Sequence, residues 1–474
     1  MANANCKDQK EQLFKKLQVF QWLGNETPCF SVNGNQIQLI KEPRVFYSTL
    51  LEKASKAQSR ITLASLYLGN GNHEKELVNS LDNFLVTNSE CRVRILLDAN
   101  RGSRGSQNSR TMLLPLIQSH ESRCSVYFYH TPALRGFLKS ILPERWNEII
   151  GLQHMKIYIF DNTLLISGAN LSHDYFTNRQ DRYLIVEDCK KLTDFYDQLI
   201  ETVSQFSFQL NSSNKLELDS NCQFHPYEKS AGEFVVKARE KVETFLEEQH
   251  MKNPLNSLGG SQDTWIFPFV QMGQLGIFKD NIYTEKILKT VPTNAELSLA
   301  TGYFNLTQNY MDSILNMSQP NVHILMAHPT ANGFLSAKGF AGGIPSAYTL
   351  LASQFYQQVV NRAHTSRIRL WEYRRSFWTF HAKGLWISFT GTGDPRPVFT
   401  LIGSPNFGYR SVYRDLEAQL AIVTMNSSLR DQLDEERGSL FQTTEAVDSS
   451  TFKHPDRSVP LWVRFVIKVF RHFF

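Results

Sequence analysis

Two spacings of apolar residues alternate along this chain. Short runs rich in β-branched and aromatic residues, at 61–68, 93–97 and 125–130, predict buried strands. Between them, 46–57 and 74–86 carry apolar residues every three or four positions and predict helices. A polar lead and a short helix over 13–22 precede them. Strands alternating with helices predict an α/β fold. One run organises the others: His154, Met155, Lys156, Ile157, Tyr158, Ile159, Phe160, Asp161. Its apolar residues fall at every second position, so it predicts a strand with His154 and Lys156 on one face. Asp161 stands at the end of that strand, where a carboxylate can brace a charged neighbour. The pattern recurs at 380–387, with His381 and Lys383.

The recurrence is part of a longer repeat. Ser167, Gly168, Ala169 and Asn170 form a turn after the first run, and Gly403, Ser404, Pro405 and Asn406 after the second. Each turn precedes an acid and an apolar strand, Asp181 before 183–186 and Glu417 before 420–423. Residues 60–68 echo 296–304. Tyr47, Ala64, Asn170 and Asp181 all meet their partners Tyr283, Ala300, Asn406 and Glu417 at an offset of 236 residues, whereas the two histidines are 227 apart. A turn-rich insertion at 390–397 restores the register. This predicts a duplicated α/β unit, lobes at 36–209 and 264–455, with a lead at 1–35, a linker and charged helix at 210–263, and a terminal helix at 456–474.

Composition narrows the class. A chain of 474 residues with 42% hydrophobic and 12% aromatic residues exceeds one ordinary core and predicts two lobes. A net charge of +5 suits an anionic lipid surface or substrate and is too small to argue for nucleic acid. The six cysteines are scattered with no C-x-x-C pair, which predicts free thiols and no zinc site. No apolar run reaches the ~18 residues of a membrane span. Residues 1–11 contain Asp8 and Glu11 and no arginine, unlike a mitochondrial presequence. At the other end, Arg464, Lys468, Arg471 and His472 form a narrow basic stripe on an otherwise aromatic and aliphatic helix over 461–474, the pattern of a helix lying in an anionic membrane interface. The alternative is a helix docked on the core.

Two loops are candidate phosphate sites. Arg101 and Arg104, among glycines and serines after the strand at 93–97, suit phosphate pairing through guanidinium. Ala64, Ser65, Leu66, Tyr67, Leu68, Gly69, Asn70 and Gly71 lead into a helix and form a candidate nucleotide-binding loop, although the G-K-[ST] of a P-loop is absent and a plain turn is the favoured reading. Residues 135–143 mix basic with large apolar side chains and suit a lipid contact.

Two H-x-K motifs, each followed by a Gly/Ser-Asn turn and a later acid, resemble the phospholipase D superfamily. Residues 151–156, 167–183 and 401–420 are similar to the eukaryotic phosphatidylglycerophosphate synthases, and the likeness runs from about residue 20 to the C-terminus. The resemblance implies a duplicated phospholipase D-type fold: two α/β lobes with mixed sheets about a pseudo-two-fold axis, sharing one active site. It implies His154 as nucleophile and His381 as acid/base, with Lys156, Asp161 and Lys383 completing the catalytic set. Lys156, Lys383, Asn170, Asn406 and Ser404 would hold phosphoryl oxygens, and Asp181 and Glu417 would fix the imidazole tautomers. The implied reaction transfers phosphatidyl from CDP-diacylglycerol to sn-glycerol 3-phosphate and releases CMP, with no metal or other cofactor, peripherally at the mitochondrial inner membrane. The rivals are a phosphatidylserine or cardiolipin synthase, a phosphodiesterase or nuclease, and a non-catalytic lipid-binding scaffold. One departure from the pattern is Ser388, which stands where the counterpart of Asp161 belongs; Asp394 in the insertion is a candidate substitute.

Overall fold

The structure, a computed structural model, describes residues 11–471 except 88, 137–146, 148, 149, 221, 229, 256, 318, 319, 336, 338–341, 392 and 393. Most of the expected lipid-contact stretch at 135–143, and residues 472–474 of the terminal helix, lie outside the described residues.

The duplication is visible in the sheets. Arg60–Ala64, Arg92–Asp98 and Cys124–Tyr129 run parallel; Ile157–Phe160, Thr163–Ser167, Tyr183–Val186 and Ile37–Ile40 continue from Arg60–Ala64 as antiparallel neighbours. The second half repeats this order and polarity: Ala295–Thr301, Asn321–Ala327 and Ile368–Tyr373 are parallel, and Gly384–Phe389, Phe399–Gly403, Leu416–Thr424 and Thr264–Met272 are antiparallel. Among the described residues each sheet has nine strands. The additions fall at the edges. Phe30–Val32, in the expected lead, extends the second sheet beside Thr264–Met272. Phe208–Leu210, across the expected boundary between lobe and linker, and Leu216–Glu217, within the expected linker, extend the first.

The central strands are buried on both faces, which is why they read as continuous apolar runs. One core lies between the sheets, with Ile157, Ile166 and Leu184 from the first and Trp386, Leu420 and Ile422 from the second. The helices Lys190–Ser204, Ala231–Lys252 and Ser427–Phe441 contribute to it; in the first, Leu192, Phe195, Tyr196, Leu199 and Val203 are buried at helical spacing. Each outer face has its own core, around Phe46, Leu81 and Phe128 in one half and Leu297, Ile324 and Phe355 in the other. A buried ion pair ties the halves: Arg182 grips Glu436 through Nε–Oε1 at 2.9 Å and Nη2–Oε2 at 2.8 Å, and stacks on Trp386. Cys29, Cys91, Cys124, Cys189 and Cys222 are thiols outside any disulfide.

Two expected strands are shorter than their apolar runs. The run at 61–68 leaves the sheet after Ala64, where Ser65 Oγ donates to the carbonyl of Tyr67. The run at 154–161 forms a strand only over Ile157–Phe160. Its first residues are drawn instead to the other half of the chain.

Candidate active site

The backbone of each histidine segment is stitched to the opposite half. Leu416 N–H donates to the carbonyl of Leu152, and His154 N–H donates to the carbonyl of Leu416, both at 2.8 Å. The approach needs Gly151, whose φ is +156° and whose place a Cβ would fill only at 2.5 Å from the carbonyl oxygen of Arg414. The second half mirrors this. Thr379–Phe380 pairs in parallel with Arg179–Gln180, and His381 N–H donates to the carbonyl of Gln180 at 2.8 Å.

The stitching delivers each histidine to the acid of the other half. His154 Nδ1 lies 2.9 and 3.0 Å from the carboxylate oxygens of Glu417. His381 Nδ1 lies 2.6 Å from Oδ2 of Asp181. A carboxylate on Nδ1 fixes the tautomer that leaves Nε2 for chemistry. Lys156 Nζ donates to the carbonyl of His154 at 2.6 Å, and Lys383 Nζ to the carbonyl of His381 at 2.7 Å. Lys383 Nζ also stands 3.6 Å from Oδ2 of Asp181. Gly168 makes room for this pair: a Cβ there would lie 2.6 Å from Asp181 Oδ1 and 2.9 Å from Lys383 Nζ.

All six groups are withdrawn from water, and burial sets their protonation. Desolvation pushes both imidazoles well below their ordinary range, with the adjacent lysines adding to it. Burial lowers Lys156 strongly and Lys383 to about 8, against the pull of the nearby acids. It raises Asp181 to about 6 and Glu417 above the usual carboxylate range, opposed by the lysines. Neutral imidazoles beside lysines whose charge Asp181 and Glu417 favour, in a dry site, suit attack on phosphorus and stabilisation of the charge that grows there.

Asn170 and Asn406 occupy equivalent turns. The Oδ1 of each is buried without a hydrogen-bond partner. Such an atom costs about 1–3 kcal/mol, and its presence in both halves marks an amide held for a ligand. Ser404 serves the backbone instead. Its Oγ bridges the N–H and carbonyl of Ala418, and it lies against Glu417 together with Ser411. Arg101 stacks on Tyr67 at 3.8 Å from the ring centroid, and Arg104 follows on the same half-buried turn.

Asp161 stands apart from the histidines. It occupies the hairpin between Ile157–Phe160 and Thr163–Ser167, at φ +51°. Its carboxylate accepts from the backbone N–H groups of Gln58, Ser59 and Arg60 and from Ser59 Oγ. It thus sits at the far end of the strand from Lys156, roughly 16 Å away by the rise of a strand, and braces the chain entering Arg60–Ala64 rather than a catalytic neighbour. Ser388 is buried in Gly384–Phe389, and Asp394 does not replace the missing acid: it binds Arg396 and Arg430 at 2.7–2.9 Å.

The candidate nucleotide loop is already filled. Gly69 and Gly71 close around the carboxylate of Glu74, where a Cβ on either would meet it at 2.4–2.7 Å. Glu74 is buried and accepts from His173 N–H at 2.6 Å. A carboxylate at a helix N-terminus takes the position in which a phosphate would be held, and would repel one. From this loop Tyr67 turns toward the site, its hydroxyl 2.9 Å from Ser172 Oγ.

Several site residues carried no separate signal in the sequence. Tyr175 OH lies 3.3 Å from His381 Nε2, and Tyr303 sets its ring edge-on to the same imidazole at 5.5 Å. Arg179 stacks on Tyr175 at 4.7 Å. Tyr303 and Tyr67 share the 236-residue offset of the repeat, which is the signal that was available. Asp415 joins His154 and Glu417 within 4.8 Å, a constellation of metal-ligand type. Asp415 already accepts from Leu152 N–H and from Arg410 Nε at 2.9 Å, and Glu417 from His154, so both acids serve cationic and N–H donors of the chain itself.

Comparison with known proteins agrees with this geometry. A family model described as "Cardiolipin synthase, PLD-like domain" matches residues 50–204. Over 96% of the chain it is 44% identical to the Gallus gallus protein named CDP-diacylglycerol--glycerol-3-phosphate 3-phosphatidyltransferase, mitochondrial, covering 86% of that protein. The Homo sapiens protein of the same name is 42% identical with the same coverage, and the Saccharomyces cerevisiae protein named CDP-diacylglycerol--glycerol-3-phosphate 3-phosphatidyltransferase is 34% identical over 94% of this chain and 89% of its own length. In fold, the chain is similar to Haemophilus influenzae phosphatidylserine synthase, with a TM-score of 0.71 at 20% identity over 96% of both chains.

Proposed function

Because the chain belongs to the CDP-diacylglycerol--glycerol-3-phosphate 3-phosphatidyltransferase family, we propose that its crossed histidine–acid pairs perform that transfer in two displacements at phosphorus. The protein is a phosphatidyltransferase that makes phosphatidylglycerophosphate from CDP-diacylglycerol and sn-glycerol 3-phosphate. In the first displacement Nε2 of His154 attacks the phosphatidyl phosphorus, a P–N bond forms, and the P–O bond to CMP breaks. His154 is the less enclosed of the two imidazoles, at 13% side-chain exposure against 4% for His381, which supports this assignment. CMP leaves through a phosphate oxygen, a weak base, so little is asked of the acid in this step.

The second displacement needs a base. Neutral His381 takes the proton of the glycerol 3-phosphate hydroxyl as that oxygen attacks phosphorus and the P–N bond breaks. The proton then passes to solvent, and His154 is returned neutral. Lys156, Lys383 and the Nδ2–H groups of Asn170 and Asn406 stabilise the charge on the phosphoryl oxygens by donating to them. The lysines supply the positive charge, so the reading calls for no metal or other cofactor.

The Gallus gallus and Homo sapiens relatives are named as mitochondrial, and this protein works there, peripherally at the inner membrane. The terminal helix Leu461–Phe470 supports that reading. It packs by Val463 and Ile467 against Ile344–Asn361 and leaves Leu461, Phe465 and Val469 at 84%, 67% and 53% exposure, with Arg464 and Lys468 exposed alongside. One face is docked on the core, and another is free for an anionic interface. No described helix is long and apolar enough to cross a membrane.

The crossed pairing of His154 with Glu417 and His381 with Asp181 carries this reading. The test is a transfer assay with CDP-diacylglycerol and labelled glycerol 3-phosphate in detergent and EDTA. Labelled lipid from the wild type and none from His154→Ala is the expected result. CMP released without labelled lipid would mean another acceptor, or water.

A further inference from the structure

The turn at 374–378 stands immediately before the second catalytic histidine and spends stability on an exposed aromatic. Phe377 is 94% exposed and has φ +65°. A bulky residue in the left-handed region costs about 1–3 kcal/mol unless its surroundings impose it. Here they do. Arg374 N–H donates to the carbonyl of Thr443 and its guanidinium binds Glu445 at 3.0 Å. Trp378 N–H donates to the carbonyl of Arg375, and Asn178 Nδ2 donates to the carbonyl of Phe377 at 2.7 Å. Arg375 lies over the Trp378 ring at 3.6 Å. Both halves of the chain therefore hold Phe377 outward, and nothing among the described residues gains from its ring.

The turn is linked to the site through Arg179. Thr379 accepts from Arg179 Nε at 3.0 Å, and Arg179 covers Tyr175, which touches His381. On the other side of Arg179 lies the turn of Gly333, with Leu335 at 53% exposure. The terminal helix borders the same region: Trp462 packs on Gly343, and Arg471 donates to the carbonyl of Leu306, three residues after Tyr303.

We propose that residues 374–378 are a second membrane anchor, inserting Phe377 into an anionic bilayer on the Arg179 side of the active site, with Arg374 and Arg375 on the headgroups. An exposed aromatic flanked by arginines is the chemistry of an interfacial anchor. The inference rests on the reading of a lipid donor. A rigid, strained presentation fits it, because a fixed ring enters the bilayer without an ordering cost at the moment of contact. A donor held in that bilayer then meets His381 and Arg179 without leaving the lipid phase.

Phe377→Gly tests this, since glycine removes the ring and accepts the positive φ. The full chain would be assayed with donor in vesicles of phosphatidylcholine and cardiolipin, and with a short-chain donor below its micelle concentration. Vesicle co-sedimentation and Tm would be measured beside the assays. The expected result is about a tenfold loss of vesicle binding and of turnover on vesicles, turnover on the short-chain donor within twofold, and an unchanged or raised Tm. Vesicle binding within twofold of wild type, or the same loss on both donors, would overturn the proposal. If the wild type turned over neither donor, the transferase reading would fail, and co-sedimentation would still decide the anchor.

Discussion

Glu417, in the second half of the chain, holds Nδ1 of His154, in the first, at 2.9 Å. Asp181 returns the relationship to His381 at 2.6 Å. Each imidazole is thus oriented by a carboxylate more than 190 positions away, and neither half contains a complete histidine–acid pair. If these acids act by fixing the tautomer, Glu417→Gln and Asp181→Asn should each lower kcat by about 10²-fold or more, with KM little changed. Steady-state kinetics on folded variants decides it; a kcat within threefold of wild type would remove the acids from the mechanism.

Rate should depend on pH through Asp181 and Lys383. Burial raises Asp181 to about 6, so below that value it is protonated and no longer a carboxylate acceptor for His381 Nδ1. Lys383, lowered to about 8, loses its charge above that value. The expected kcat/KM profile, which reports the free protein, rises through about 6, peaks near neutrality and falls through about 8. Lys383→Arg should carry the upper limb to higher pH in whatever activity remains, since guanidinium keeps its charge. An upper limb that stays in place would assign it to another group.

Asp161→Ala should cost stability and spare chemistry. It removes the acceptor of three N–H groups and a hydroxyl at the entry of a central strand, most of them open to water; the loss is about 1 kcal/mol. Thermal denaturation should show a lower Tm, while kcat per folded molecule stays within threefold. Ser388→Ala should change neither, because its buried hydroxyl has no hydrogen-bond partner to lose.

Gly168→Ala should do the reverse. Its Cβ would press between Asp181 Oδ1 and Lys383 Nζ, both buried. Turnover should fall at least tenfold with circular dichroism unchanged; full activity would show that the pair can spread.

Phe465→Asp should release the protein from anionic liposomes without unfolding it, since the ring is two-thirds exposed. Removing the whole helix is a poorer test, because Val463 and Ile467 belong to the outer core of the second half. Unchanged co-sedimentation of Phe465→Asp would leave that face without a membrane role.

What the sequence made legible is what repeats locally: the alternating runs, the twin H-x-K motifs, and the turns and acids at a constant offset. These carried the duplicated mixed sheets and most of the site. What it hid depends on contacts between distant segments. His154 leaves its strand because Leu416 takes its backbone, and no period within 154–161 encodes that. Asp161 looked catalytic from its place in the motif, yet the amides it serves are about a hundred residues earlier. Glu74 closes the glycine loop from inside the following helix, where it reads as an ordinary first-turn acid. The strain at Phe377 arises from Asn178, in the other half.

The exchange of acids between the halves makes the repeat indivisible. A chain cut in the loop at 253–263, where the second unit begins, would yield two fragments that each carry a histidine with no carboxylate to steer it. Either fragment alone would be inert, and mixing the two would restore turnover only as fast as they reassociate. A point change in one acid could be rescued by supplying the corresponding fragment intact. The duplicated gene product behaves, in that sense, as a dimer whose subunits happen to be covalently joined.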